Sequence, residues 1–123
     1  LDVQGEMLSR LEEKIASSKL ANIVPILGGL GQGFLDGYSF DRALLVTVLG
    51  ELHDQEAALQ EIYRCLVPGG VLSVTELLPD PHFQSRRKVT RLAERVGFEV
   101  RPAHIGWRSF TYNLVKPAKK AIK

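Results

Sequence analysis

The stretch "EIYRCLVPGGVLSVTELLPDP", Glu61 to Pro81, passes from a helical pattern through Pro-Gly-Gly into a β-branched apolar run. Ala58, Leu59, Ile62, Tyr63 and Leu66 share one helical stripe, and Asp54 stands where an N-cap is wanted. Pro68 denies Val67 an easy α conformation and ends the helix. Gly69 and Gly70 turn the chain, and Val71 to Leu77 reads as a buried strand with Glu76 near its C-terminal end. This is the αβ turn by which a covering helix returns the chain to a sheet.

Working outward, Leu1 to Val3 reads as a short strand end closed by Gly5. Met7, Leu8, Leu11 and Ile15 then recur at helical spacing. Ile23 to Leu27 reads as a strand at a sheet edge, because Pro25 cannot donate to a ladder. Gly28 to Asp41 is loop-like, and Ala43 to Leu49 is a continuous apolar run, as in a strand covered on both faces. A helix is expected from about Gln84 to Val96, with Gly97 just past its end. Phe98 to Val100 begins a strand. Phe110, Tyr112 and Leu114 alternate with Thr111 and Asn113 in a last one, antiparallel or at an edge. The order β-α-β-β-α-β-α-β-β predicts an α/β fold: a Rossmann-like open twisted sheet with helices on both faces, mostly parallel with an antiparallel last strand. Such sheets bind ligands along the rim of strand C-termini.

The totals narrow the class. A chain of 123 residues is one domain or a piece of one, and its 45% hydrophobic share is too high for disorder. The net charge of +2 is too small to argue for nucleic acid. The single cysteine, Cys65, excludes an internal disulfide and reads as a small buried hydrophobe, with a cytoplasmic location as the default. No apolar stretch approaches the roughly 20 residues of a membrane span. His82 and His104 have no metal-ligand spacing with Cys65, so no metal is expected. The run "GGLGQG" from Gly28 fails as a phosphate loop, since it is not G-x-G-x-x-G and no helix follows.

Four stretches together resemble the class I S-adenosylmethionine-dependent methyltransferases, the ubiquinone and menaquinone biosynthesis branch above all. They are "LDVQGEML" from Leu1, "DGYSFDRALLVTVLGELHD" from Asp36, "ALQEIYRCLVPGGVLSVTE" from Ala58 and "LAERVGFEV" from Leu92. The resemblance implies a sheet ordered 3-2-1-4-5-7-6 with strand 7 reversed, these residues supplying strands 2 to 7. The edge proline and the alternating last strand agree with that order on physical grounds. The family's first strand and Gly-rich turn have no counterpart ahead of Leu1, so residues 1–115 are expected to be a partial, N-terminally truncated domain, with Lys116–Lys123 a frayed basic tail. Gly29 stands where family members often place an acid for the adenine amino group.

The resemblance also implies a site. S-adenosyl-L-methionine is the expected cofactor, and a small-molecule methyl acceptor the expected partner. Asp2 would accept both ribose hydroxyls, which a carboxylate's two oxygens can do; a solvated terminal Asp is the plain alternative. Val3 and Met7 would contact adenine, or else belong to the core. Gly29 and Leu30 would offer backbone groups and an apolar wall. Thr47, Val48 and Leu49 would flank the methionine part. Glu51 and His53 follow on the rim, where His53 would serve as a general base if the acceptor must lose a proton; its plain alternative is exposure at a helix entry. Arg86, Arg87, Lys88, Arg91 and Arg95 form a basic helix face, read first as solvated. The rival reading is a non-catalytic α/β module, whose open edges would favour association with a second copy.

Overall fold

The computed structural model describes residues 1–118. Its elements are α1 (Gly5–Ser18), β1 (Phe40–Val46), a 3-10 turn (Leu49–Glu51), α2 (Gln55–Cys65), β2 (Leu66–Leu77), α3 (Arg86–Val96), β3 (Glu99–Ile105) and β4 (Ser109–Val115). The four strands form one open sheet ordered β1-β2-β4-β3. β1 and β2 are parallel, and β4 runs antiparallel to both β2 and β3. The alternating last strand is therefore reversed, as expected, and interior to the sheet.

Each junction has a local cause. Asp54 caps α2 by accepting the Ala57 N–H at 3.0 Å. Ser85 caps α3 through the Lys88 N–H at 3.2 Å, so α3 starts at Arg86, slightly later than its hydrophobic pattern suggests. Gly97 ends α3 in the left-handed region at φ 118°. Around Pro-Gly-Gly the strand begins earlier than expected. Leu66 already pairs with Phe40, and the ladder resumes at Arg42 and Val71 after an irregularity that accommodates the turn.

The core lies between the sheet and the pair α2–α3. Leu72 and Val74 of β2 and Tyr112 and Leu114 of β4 meet Leu59 and Ile62 of α2 and Val89 and Ala93 of α3. Odd-numbered residues of the same strands face the other way, where Ser73 bonds Asn113 at 2.7 Å and Thr75 bonds Thr111 at 2.8 Å. On that side Leu44 is 73% exposed.

Three expectations are revised. The segments Leu1–Val3 and Ile23–Leu27 make a single parallel bridge, Asp2 to Leu27, rather than strands of the main sheet. A strand needs a partner along its length, and local patterning does not provide one. β1 occupies Phe40–Val46, so Thr47, Val48 and Leu49 follow the strand instead of ending it. Lys116, placed in a frayed tail, is tied down: its N–H donates to Gly70 O at 2.9 Å, and its carbonyl accepts from Gly69 N at 2.8 Å. Residues 119–123, the remainder of that expected tail, lie outside the described residues.

Candidate functional site

The chain leaves β1 abruptly. Thr47 has φ 54°, a left-handed conformation that strains a β-branched residue by about 1–3 kcal/mol. It is held there by its N–H to Thr75 O at 2.9 Å and its hydroxyl to Val46 O at 2.7 Å. Leu49 is buried in the core, and Val48 packs against the same cluster. Glu51 and His53 are exposed on the segment that leads to the α2 cap. Strain at the C-terminal end of a sheet strand is a mark of ligand-facing turns.

Asp2 is half-buried. Its N–H donates to Ile26 O at 3.0 Å, and its carbonyl accepts from Gly28 N at 2.9 Å. One carboxylate oxygen accepts the Gln4 N–H at 2.9 Å. The bridge thus fixes Asp2 beside the Gly28–Leu30 segment. Gly29 is buried, and Leu30 rests on the same core cluster as Val48. Val3 and Met7 are exposed, at 67% and 46%. The structure groups the candidates in two clusters, Asp2 with Gly29 and Leu30, and Thr47 through His53, both seated at the edge of one core.

The residue that joins the first cluster to α2 is Glu61, which its charge gave no reason to single out. It is fully buried, and its carboxylate accepts the N–H groups of Gly31 at 2.6 Å, Gly33 at 3.2 Å and Leu35 at 2.8 Å. Gly31 must be glycine here: its φ is 94°, and an added Cβ would lie 3.1 Å from the Ala58 nitrogen. Cys65, one turn further along α2, donates to Leu35 O at 3.1 Å. Burial, helped by the nearby Asp36 and Glu61 charges, pushes its thiol pKa up, which keeps it protonated and unreactive. The one sequence signal for Glu61 is its place on the α2 stripe, three residues after Ala58 and four before Cys65.

A second buried carboxylate, Glu76, lies at the C-terminal end of β2. One oxygen accepts the Gln84 N–H at 2.8 Å, and the other has no partner among the described residues. Desolvation raises its pKa, against the Gln84 bond that lowers it, with Asp80 adding a smaller upward push. Gln84 also donates its side-chain amide to His82 O at 2.8 Å. Gly50 lies under this loop, for a Cβ there would collide with the His82 carbonyl. Beyond Leu77 an apolar recess of about 320 Å³ is lined by Leu78, Pro79, Trp107 and Arg108. The Leu78 N–H to Arg108 O bond at 2.7 Å links its two walls. Among the described residues no helix is long and apolar enough to cross a membrane.

Comparison with known proteins bears on the fold and the family. Among curated proteins none matches the chain in sequence. A SAM-dependent methyltransferase from Aquifex aeolicus is 20% identical with a TM-score of 0.78, over 93% of this chain and 65% of that one. The cyclase SpnF is 15% identical with a TM-score of 0.81, over 95% of this chain and 64% of its own. An rRNA methylase from Streptococcus thermophilus is 21% identical with a TM-score of 0.66, over 94% and 70%. The chain therefore spans less than two thirds of the Aquifex protein and of SpnF. At these identities the structures establish the fold, which a methylase and a cyclase evidently share. The family described as "Methyltransferase domain" matches residues 1–74, more than half of the sequence, and to that family the chain belongs.

Proposed function

We propose that this domain binds S-adenosyl-L-methionine along the C-terminal rim of its sheet and directs the methyl group to a small-molecule acceptor. The observation that carries the reading is the half-buried carboxylate of Asp2, held by its bridge to Leu27 beside Gly28–Leu30, in a chain of the methyltransferase family. The donor set suits a nucleoside with an attached amino acid. Among the described residues one Asp2 oxygen is used, by Gln4, so the carboxylate has capacity for ribose hydroxyls. Val3, Met7, Gly29 and Leu30 would border the adenine. Thr47, Val48 and Leu49 would border the methionine part.

When bound, the cofactor supplies an already activated electrophilic methyl. The protein's task is then alignment and exclusion of water, and proximity alone lowers such barriers by about 7–11 kcal/mol. Glu51 and His53 would take a proton from an acceptor that must lose one, as a phenol must. The recess formed by Leu78, Pro79, Trp107 and Arg108 favours a small, largely apolar acceptor, since its volume lies within the usual range of ligand pockets. Resemblance to the quinone-biosynthesis branch points the same way. The outer edge of β1, which among the described residues pairs with β2 alone, is open to pairing with a further strand.

The test is equilibrium binding of S-adenosyl-L-methionine to the wild type and to Asp2→Ala. Saturable binding that weakens about tenfold in the variant supports the reading, by the usual worth of bonds to a charged group. Equal binding by both proteins, or no saturable binding by the wild type, overturns it.

A further inference from the structure

Helix α3 is charged against its own stability. Its eleven residues, Arg86–Val96, carry five cations and one acid, Glu94. Arg86, Arg87 and Lys88 crowd the first turn, which contains no acid, at the positive end of the helix dipole. Arg87, Arg91 and Arg95 follow at four-residue intervals, so like charges are neighbours on one face. Of these cations Arg95 alone has an acidic partner among the described residues, Glu56 at 3.6 Å. Among the described residues Arg87, Lys88 and Arg91 have no acidic partner within 4.0 Å. A local rule broken this thoroughly without compensation marks a site under functional demand.

These cations do not point into open water alone. Arg87, Lys88 and Arg91, with Gln55, Ser85 and Leu92, line a groove of about 410 Å³ beside the first turn of α2. It adjoins the rim of the sheet. Gln55 contacts Gln84 at 3.4 Å, and the Gln84 N–H is held by Glu76 at the end of β2. Guanidinium groups match phosphate oxygens in paired hydrogen bonds, and the lysine adds a point charge. The volume is that of a small-ligand site, and a net charge of +2 over the whole chain is unlike that of a protein built to follow a polyanion.

We propose that this groove binds the phosphate or diphosphate group of a small phosphorylated molecule, with Arg87, Lys88 and Arg91 as its contacts. The site stands on the charges of α3 and does not depend on methyl-donor binding at the rim.

The experiment titrates the chain with inorganic pyrophosphate at low ionic strength, by calorimetry, and repeats it on the Arg87→Gln, Arg91→Gln double variant. Saturable one-to-one binding is expected, weakened at least about tenfold in the double variant. Removing two unpaired like charges leaves the variant's melting temperature equal to or above that of the wild type, which separates lost binding from lost folding. Pyrophosphate should raise the melting temperature of the wild type more than that of the variant. The proposal is overturned by any of three results: no saturable binding at millimolar pyrophosphate, unchanged affinity in the double variant, or equal binding of citrate. Binding of an RNA oligonucleotide without binding of pyrophosphate would also overturn it.

Discussion

An oxygen of Glu61 sits 2.6 Å from the Gly31 nitrogen, thirty residues away in the chain. With Gly33 and Leu35 also bonded, one carboxylate on α2 fixes the loop that follows the Asp2–Leu27 bridge. Glu61→Ala would leave three N–H groups without their acceptor, at about 1–3 kcal/mol for each that stays dry. A loss of at least about 3 kcal/mol in urea unfolding is expected. Glu61→Gln keeps an acceptor but turns an amide donor toward an N–H, so an intermediate loss is expected. Faster hydrogen exchange at Gly31, Gly33 and Leu35 in both variants checks the mechanism, and unchanged exchange would contradict it.

Glu76 makes stability depend on pH. Its carboxyl holds a proton to higher pH in the folded chain than in the unfolded one, where the ordinary value is 4.5. Across the window between those values the folded state binds more protons, so stability falls as pH rises. The Glu76 contribution is fully present below pH 4.5 and is lost as pH climbs through the raised folded value. Glu76→Gln keeps an acceptor for the Gln84 N–H and cannot ionise. Its urea midpoint should therefore gain on the wild type as the buffer moves from acid to neutral, and parallel pH profiles for the two would refute this.

Lys116 closes the C-terminal end of α2. Its ammonium donates to Tyr63 O and Leu66 O, each at 2.8 Å, and lies 4.8 Å from the Tyr63 ring centre. Carbonyls at a helix end are otherwise unpaired, and a cation there also meets the negative end of the dipole. Lys116→Met should cost about 1–3 kcal/mol in denaturant unfolding, while Lys19→Met, on a residue with no such bonds, should cost little.

Gly50→Ala tests the seating of the loop before α3. The new methyl would meet the His82 carbonyl, which is backbone and can move only with its loop. A loss of about 1–3 kcal/mol is expected, with disturbed resonances at His82 and Gln84. A variant as stable as the wild type would show that the loop shifts freely.

Much of this fold was legible because its punctuation is local. Asp54, Pro68, Gly69 and Gly97 act through their own backbone neighbours, and the elements they delimit appear near where their patterns place them. The outer strands were less so. Leu1–Val3 and Ile23–Leu27 have strand-like residues but make one bridge, since pairing is decided by what lies alongside. The buried carboxylates were least visible. Glu61 showed only its place on the α2 stripe, with nothing to say that three loop N–H groups converge on it, and Glu76 showed only its place near the rim. Likewise the left-handed Thr47 has no signature in residue type, because threonine is an unlikely occupant of that conformation.

The placement of β4 between β2 and β3 bears on how the chain is made. On a ribosome β1, α2 and β2 emerge well before Ser109, and the hydrogen-bonding edge that β2 will give to β4 stays vacant meanwhile. Leu114 and Lys116 arrive after all of these, yet one fills the middle of the hydrophobic layer and the other secures the bend at Gly70. Cooperative folding of this sheet must therefore wait until β4 has emerged, and a nascent chain halted before Ser109 would remain dependent on chaperones.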